Sequence, residues 1–224
     1  MIEIVTIATP DQRELLARFH RGIYWDEFAA QHEPLAAWEH ALWGGDPGYE
    51  LTIRLALADR EIVGGVAFER YPRCGCGLVT YVVVAPAARR DGLGKRLRSE
   101  AAATLFAAGA PAVFGEINDP RHGPHHESLD DTRRRLARNQ RWGSRVVDVR
   151  YIQPALGPGL ARDRGLCLLA LAGAEPLPPT MPGAIVRDFI AELYAVTERR
   201  APDAELVELL AQIPDTVRLV ELAG

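Results

Sequence analysis

The sequence predicts an α+β fold in which helices flank a mixed, mostly antiparallel central sheet. Two apolar, β-rich segments, Leu51–Ala58 and Glu61–Arg70, are separated only by Asp59-Arg60, which predicts a tight antiparallel hairpin. A third strand, Leu78–Val84, is followed by a helical segment and then by a further strand, Val113–Ile117. Because a helical crossover joins them, we expect these two strands to run parallel.

The composition is that of a globular protein with one domain, or with one domain and a sizeable extension. The chain has 224 residues, of which 48% are hydrophobic and 25% charged, and its formal net charge of −4 argues against broad binding to nucleic acid or an anionic membrane. It contains no apolar run of membrane-spanning length, and residues 1–4 do not resemble a signal peptide. Three cysteines, Cys74, Cys76 and Cys167, predict reduced thiols and a cytoplasmic protein.

The elements before the hairpin are one strand and a helical region. Ile2–Ala8 alternates apolar and polar residues and predicts the first strand. Pro10 and Asp11 favour a helix start, and the helix is expected to run towards Tyr24. The segment 20–43 is rich in aromatic residues and predicts two helices that are interrupted near a proline.

After the central strand, helices and strands continue to alternate along the chain. An alanine-rich helix is predicted over Gly92–Ala107. Ser128-Leu129-Asp130-Asp131 has the pattern of a capping box and predicts a helix that runs to about Trp142. Two final strands are expected at Arg145–Gln153 and Leu166–Leu171, which completes the order β-α-α-β-β-β-α-β-α-β-β.

The chain beyond residue 173 is predicted to be an addition to this core. Apolar spacing indicates amphipathic helices at Pro182–Arg199 and Asp203–Gln212, and Thr216–Leu222 favours a short edge strand. The sequence therefore divides into residues 1–173 and a C-terminal helical extension, residues 174–224. We expect the extension to pack on its own core or on a second copy of the chain in a homodimer.

The stretch from Val82 to Lys95 has the features of an anion site. A β-branched strand ends at a proline, and a short loop leads into a helix whose first N–H groups are unpaired and whose dipole favours negative charge. Gly92 and Gly94 allow a ligand to approach the backbone. Three basic side chains surround the loop: Arg89, Arg90 and Lys95. The stretch predicts a phosphate or pyrophosphate cradle, although glycines that serve only tight packing remain an alternative.

The spacing within this loop is more specific. Val84-x-Pro86 followed by Arg89-x-x-Gly92-x-Gly94 resembles the acyl-CoA motif of the GNAT acyltransferase superfamily, whereas the P-loop and dinucleotide glycine patterns are absent. The resemblance covers residues 1–173 and implies the three-layer αβα fold of acyl-CoA N-acyltransferases. It also implies acetyl-CoA, or another short acyl-CoA, as co-substrate. The cofactor-binding residues that it implies are Val82, Val84, Arg89, Arg90, Gly92, Leu93, Gly94, Lys95 and Asn139.

Acyl transfer to an amine needs a base for the amine and benefits from a proton for the thiolate. Glu116 is our candidate base, because it lies in an apolar strand next to the implied cofactor gap, where burial raises a carboxyl pKa. An ion pair with an arginine is the structural alternative, and Glu69, Tyr81 and Glu27 are weaker candidates. The glutamate that some family members carry on the central strand is replaced here by Leu78.

Asn139 stands where the family pattern has a tyrosine, four residues before Gly143. An asparagine cannot act as an acid, but its amide can bind a thiolate or the cofactor arm. Either the thiolate leaves without an acid, which its modest pKa permits, or another tyrosine substitutes; a buried structural role is also open.

The acceptor residues are harder to predict. In the family, the helical region after the first strand lines the acceptor pocket, although core packing also explains its aromatic residues. A histidine-rich loop, 118–127, is expected to border the pocket, and we expect no metal there. Four arginines at helical spacing favour a solvated outer face: Arg134, Arg138, Arg141 and Arg145. The candidate acceptor-binding residues are Tyr24, Glu27, Phe28, Tyr81 and His122.

Together, these features favour a cytoplasmic N-acetyltransferase that transfers an acetyl or short acyl group from acyl-CoA to a primary amine. The resemblance implies direct attack in a ternary complex. Two alternatives remain at this stage: a catalytically weak acyl-CoA-binding sensor, and an enzyme that acts on protein N-termini or lysines. The sequence does not identify the acceptor.

Overall fold

The computed structural model describes residues 2–28, 33–89, 92–122, 127–157 and 159–222. In these ranges it contains nine strands: β1 (Ile2–Ile7), β2 (Glu50–Ala58), β3 (Glu61–Arg70), β4 (Gly77–Val84), β5 (Val113–Asn118), β6 (Arg145–Val147), β7 (Leu166–Ala170), β8 (Thr180–Pro182) and β9 (Thr216–Val220). The same ranges contain seven α-helices: α1 (Arg13–Phe19), α2 (Trp25–Phe28), α3 (Leu35–Glu39), α4 (Leu93–Ala107), α5 (Leu129–Arg141), α6 (Gly183–Glu198) and α7 (Ala204–Ala211).

The strands form one sheet in the order β1-β2-β3-β4-β5-β7-β6-β9-β8. The β4–β5 pair is parallel and the other pairs are antiparallel, so the predicted α+β class and mixed sheet are confirmed. At the β2–β3 turn Asp59 and Arg60 both have positive φ, which is the backbone of a type I′ hairpin. None of the helices in the described ranges is long and apolar enough to cross a membrane.

Helices cover both faces of the sheet and make three layers. On one face, Phe19 of α1 and Trp38 of α3 pack in one apolar cluster, and Phe189 of α6 packs in a neighbouring cluster. On the other face, Leu97 of α4 and Leu136 of α5 share a third cluster. All five of these side chains are at most 1% exposed, so apolar burial fixes the helices on the sheet.

Strand β4 contains an irregularity that the sequence did not predict. Ala67 pairs with Tyr81 and Phe68 pairs with Val79, so Thr80 is an extra residue in β4, a β-bulge. The parallel pairing with β5 ends at the same level, because its last pair is Val79 with Gly115. Beyond this point β4 and β5 are no longer paired with each other, and a gap opens between them.

The C-terminal segment continues the sheet. β9 pairs with β6 on one side and with β8 on the other, so the prediction that residues 216–222 form an edge strand is wrong. The sequence missed β8 because it is only three residues long and includes a proline. Phe189 of α6 stacks on Phe114 of β5 at a ring-centroid distance of 4.5 Å. The domain boundary at residue 173 stays a prediction.

Two further elements differ from the sequence prediction. The N-terminal helix is interrupted at Gly22, where the backbone leaves helical geometry within a π-helical turn, His20–Tyr24. The strand expected at Arg145–Gln153 ends at Val147, and the chain continues as a loop that is joined by a bridge between Gln153 and Asp163. This loop carries side chains that reach the site described below.

Candidate active site

The loop after β4 forms the entrance to helix α4. A short 3₁₀ turn, Pro86–Ala88, follows the strand, and Gly92 caps the helix in the left-handed conformation with φ of 69°. The N–H of Arg96 donates to the carbonyl oxygen of Gly92 at 3.0 Å. The N–H groups of residues 93–95 therefore precede the helical hydrogen bonds and stand at the positive end of the helix dipole.

The other loop residues contribute in different ways. Arg89 donates to the carbonyl oxygen of Val84 at 3.1 Å and to a carboxylate oxygen of Glu27 at 2.8 Å. The side chain of Leu93 is buried in the core, so Leu93 can contribute to a cradle only through its backbone N–H at the helix start. Arg90, also a candidate, lies outside the described residues.

A cleft of about 610 Å³ extends from this loop along the gap between β4 and β5. Val82 and Val84 line it on one side, and Gly94 and Lys95 line it at the helix start. A Cβ atom on Gly94 would lie at ordinary contact distances from its neighbours, 3.5 Å from Val84 Cγ2 and 3.6 Å from Trp142 Cη2.

Helix α5 supplies a basic wall to the same cleft. Arg134, Arg135 and Arg138 line it, and Arg134 and Arg138 are also exposed, as the predicted solvated face requires. Burial, and then the nearby charge of Arg135, lowers the pKa of Arg138. Asn139 also lines the cleft, and its amide donates to the carbonyl oxygen of Arg135 at 2.9 Å. The wall gives the cleft the positive charge that an anionic ligand needs.

A second cavity, of about 320 Å³, meets this cleft at the gap. Leu78, Tyr71 and Tyr81 line it from the sheet face that carries α1 and α6. The bulged Thr80 and Glu116 line both cavities, so the two spaces meet where β4 and β5 separate. A ligand in the cleft and a ligand in the second cavity would therefore come together beside Glu116.

Residues 18–126 match the model of the Acetyltransferase (GNAT) family. The chain carries a GNAT acetyltransferase domain. The match includes the bulged strand, the loop after it, helix α4 and Glu116. It places the glycine-containing loop and the β4–β5 gap within a domain family of acetyltransferases.

Solved structures share the fold. An acetyltransferase of the GNAT family from Staphylococcus aureus Mu50 aligns with 77% of this chain and 100% of its own, at TM-score 0.50 and 17% identity. ElaA of Escherichia coli aligns with 77% and 100% of the two chains, at TM-score 0.51 and 13% identity. Ard1 of Thermoplasma volcanium aligns with 78% and 99%, at TM-score 0.51 and 13% identity. No curated protein matches the sequence significantly.

Within this GNAT domain, Glu116 is held by two neutral donors. The Tyr151 hydroxyl donates to Oε1 of Glu116, and the Gln153 amide donates to Oε2 at 3.0 Å. Burial raises the pKa of Glu116, while the two hydrogen bonds oppose that shift. The arginine partner weighed from the sequence is not observed among the described residues. The carboxyl group is oriented, half-buried and located at the gap.

Three other glutamates line the second cavity: Glu33, Glu69 and Glu127. Glu69 is 7% exposed and accepts from the Tyr71 hydroxyl at 2.5 Å; Glu33 accepts from the Tyr81 hydroxyl at 3.0 Å. Burial, and then the charge of Glu33, raises the pKa of Glu69 to about 8. Burial also raises the pKa of Glu33.

The structure places some of the predicted acceptor-binding residues at the second cavity and others elsewhere. Phe28 lines both spaces and Tyr81 lines the second cavity. Tyr24 is fully buried in the core beneath the cavity, where its ring packs against Trp38, so its assignment to the cavity lining is wrong.

The remaining two acceptor candidates lie elsewhere. Glu27 lines the basic cleft rather than the second cavity, and it pairs there with Arg89 and Arg135. The side chain of His122 is 61% exposed and contacts Asp119 at 3.2 Å; it does not line either space as described.

Helix α6 and the loop before β7 complete the second cavity. Leu193, Val196 and Thr197 of α6 line it opposite the sheet. The Tyr194 hydroxyl of the same helix donates to the carbonyl oxygen of Ile152 at 2.9 Å, between the two residues that hold Glu116. Sequence spacing gave no signal for this arrangement, because the contacting residues are about 40 positions apart along the chain.

Within the described ranges, no group of three or more His, Cys, Asp and Glu side chains is arranged to hold a metal ion. Residues 123–126 of the histidine-rich loop, where we expect no metal, fall outside these ranges. The cysteines Cys74, Cys76 and Cys167 are free thiols.

Proposed function

We propose that this chain transfers an acetyl or short acyl group from acyl-CoA to a primary amine of a small molecule, by direct attack in a ternary complex. The observation that carries the proposal is the meeting of two spaces at Glu116. One space has the basic walls and free N–H groups that suit the phosphates of CoA, and the other has room for an acceptor.

The cofactor assignment rests on the fit between the cleft and the chemistry of CoA. The N–H groups of residues 93–95 and the side chains of Arg89 and Lys95 suit a pyrophosphate. Val82 and Val84 line the cleft beyond the last β4–β5 pair, where the edge of β4 can offer backbone groups to the amide-containing arm of the molecule. The arginines of α5 add charge for further phosphate oxygens.

Glu116 would act as the general base. The acceptor nitrogen must be neutral to attack the thioester carbon, and Glu116 can accept its proton because its raised pKa is closer to neutral pH than that of an exposed glutamate. The new C–N bond forms as the C–S bond breaks, and CoA leaves as a thiolate. The Asn139 amide is a neutral donor for that sulfur, and no proton from a dedicated acid is required.

Asn139 also supports a second candidate, a weak or inactive acyl-CoA-binding module. An asparagine supplies no proton to the leaving thiolate, and Leu78 leaves β4 without a glutamate at that position. Tight acyl-CoA binding without CoA release in the presence of any amine would favour this alternative. An enzyme that acts on protein chains fits less well, because α6 forms one wall of the acceptor cavity.

The test is CoA release, followed with a thiol reagent, by the purified chain with acetyl-CoA and a panel of primary amines. Release should require an amine, and mass spectrometry should identify the N-acetylated product. Glu116→Gln should lower kcat about 100-fold or more, with acetyl-CoA affinity nearly unchanged. Glu3→Gln, on the exposed side of β1, is the matched control. Unchanged turnover in Glu116→Gln would refute its role as the base.

A further inference from the structure

The acceptor cavity has an unusual balance of charge. Four glutamates line it, and one of them, Glu127, is neutralised by Arg135 at 3.0 Å. The other three have no ion-pair partner among the described residues, and each accepts a hydrogen bond from a tyrosine hydroxyl: Glu33, Glu69 and Glu116. Arg199, the other arginine of the lining, is exposed. The cavity lining thus carries more carboxyl groups than the described side chains neutralise.

Aromatic rings form much of the remaining wall. Tyr49, Tyr71, Tyr81 and Phe28 line the cavity, and the rings of Phe28 and Tyr81 meet edge to face at 4.9 Å. Ring faces attract ammonium groups, while their apolar surface suits a hydrocarbon chain. Carboxyl groups with aromatic walls form a combined environment for a cationic ligand with methylene segments.

The carboxyl groups are separated along the sheet. Glu69 pairs with Leu78 in β4, and Leu78 pairs with Phe114 in β5, two residues before Glu116. The Cα atoms of Glu69 and Glu116 are therefore two strands and two residues apart, about 12 Å from standard strand spacings. Glu116 is at the gap, where the acyl group would be, and Glu69 is deeper on the acceptor side. The distance leaves room for a short chain between two nitrogen atoms.

We propose that the acceptor is an aliphatic diamine or polyamine, with the reacting amine beside Glu116 and a second, ammonium nitrogen bound by Glu69 and Glu33. This inference rests on the proposed acetyltransferase function and names its substrate class. Binding of the ammonium group would favour the ionised forms of Glu69 and Glu33 and offset the repulsion between them. An acceptor with a carboxylate in place of the second nitrogen would meet two carboxyl groups of the same sign.

The experiment compares acceptors of equal chain length with acetyl-CoA: 1,4-diaminobutane, butylamine and 4-aminobutanoate, with spermidine as the longer polyamine. We expect kcat/KM for 1,4-diaminobutane to exceed that for butylamine about tenfold or more, the effect of one buried charge-assisted hydrogen bond, and 4-aminobutanoate to be the poorest acceptor. Glu69→Gln should lose most of this preference, whereas Glu3→Gln should keep it.

Calorimetry of 1,4-diaminobutane binding adds a readout that does not depend on turnover. The native chain should bind the diamine, and Glu69→Gln should bind it about tenfold more weakly. Equal use of butylamine and 1,4-diaminobutane would overturn the inference while CoA release still supported acetyl transfer. Acetyl-CoA binding without acetylation of any diamine would also overturn it. Failure to bind acetyl-CoA would instead contradict the proposed function itself.

Discussion

At the scale of single residues, the site depends on how Glu116 is held. Its two carboxylate oxygens accept from different residues of one loop, Tyr151 and Gln153, so the group is oriented without being neutralised by a cation. A carboxylate in this setting keeps a raised pKa because of burial, while the two donors stabilise its ionised form. An arginine in their place would lower that pKa and weaken the base.

Tyr151→Phe is predicted to change the pH dependence of catalysis. Loss of the hydroxyl removes a donor that favours ionised Glu116, so the pKa of Glu116 should rise further. The proposed base works only when ionised, and activity is lost as pH falls through its pKa. The acidic limb of kcat/KM should therefore move to higher pH by about one unit.

The profiles of both proteins are measured with one acceptor, so that titration of the amine affects them equally. Acetyl-CoA affinity at the pH optimum is the control and should match that of the native chain. An acidic limb at the same pH in both proteins would mean that Tyr151 does not tune the base.

At the scale of elements, the strand–loop–helix unit of β4 and α4 could be predicted from the sequence. Its glycines, proline and basic residues are adjacent in the chain, and their spacing predicts an anion site. The bulge at Thr80 could not be predicted, because it depends on the register between β3 and β4. The site depends on the gap between β4 and β5. This gap forms where the bulge lies and where the pairing between β4 and β5 ends.

Two glycines of this unit are predicted to respond differently to alanine. Gly94→Ala should fold normally, because its Cβ would make only ordinary contacts, but it should bind acetyl-CoA about tenfold more weakly by crowding the backbone cradle. Gly92→Ala should lower the free energy of unfolding by about 1 kcal/mol, the cost of a left-handed non-glycine residue. Chemical denaturation and calorimetry measure the two effects.

Ala103→Ser, exposed on the same helix, is the control for both measurements and should change neither stability nor affinity appreciably. Native acetyl-CoA affinity in Gly94→Ala would show that the ligand does not approach this backbone.

The loop that holds Glu116 is itself anchored by the C-terminal helices. Arg162 pairs with Glu198 at 2.7 Å, with Asp203 at 2.9 Å and with Glu205 at 2.8 Å, and it stacks over the Tyr194 ring at 4.8 Å. The side chains of Arg162 and Glu198 are 8% and 5% exposed. Removal of one member of such a buried pair leaves the other charge uncompensated.

Arg162→Met should therefore lower the free energy of unfolding by about 3 kcal/mol. Hydrogen bonds from Arg162 hold the pKa of Glu198 at about 2, below its ordinary value. A carboxyl group whose pKa is lower in the folded than in the unfolded chain stabilises the fold at pH values above the unfolded-state pKa. This stabilisation is lost as the pH falls towards 2. The native chain should lose about 3 kcal/mol through Glu198 over that interval.

The variant should show a smaller decrease over the same pH interval, since its main partner for Glu198 is gone. Denaturation curves at a series of pH values measure both slopes. Parallel curves for the two proteins would contradict the assignment of this pH dependence to the Arg162–Glu198 pair.

At the scale of the whole molecule, the three layers and the family resemblance could be predicted, whereas the acceptor cavity could not. Its residues come from α2, α3, β3, β4, β5, α5, the loop before β7 and α6, several of which are distant in the chain. Tyr24 and Tyr81 look alike in sequence as aromatic residues of apolar segments. Only the packing shows that the first is in the core and the second lines the cavity.

The position of the α5 arginines beside the cleft could not be predicted from the sequence either. Their helical spacing predicts an exposed polar face correctly, but it cannot show that this face also borders the β4–β5 gap. The C-terminal segment was expected as a helical addition, yet β9 is an interior strand of the sheet, and α6 contributes to the cavity wall. Contacts between residues that are distant in the sequence determine both the interior position of β9 and the position of α6 at the cavity.

The most direct measurement of the central claim is a calorimetric titration of the purified chain with acetyl-CoA. Native protein and Glu116→Gln should bind one molecule per chain with similar affinity. Gly94→Ala should bind more weakly, since Gly94, unlike Glu116, is in the proposed cofactor cradle. Adenosine bisphosphate and CoA serve as comparison ligands. No saturable binding of acetyl-CoA by the native chain would contradict the account, and the β4–β5 gap would then need another ligand.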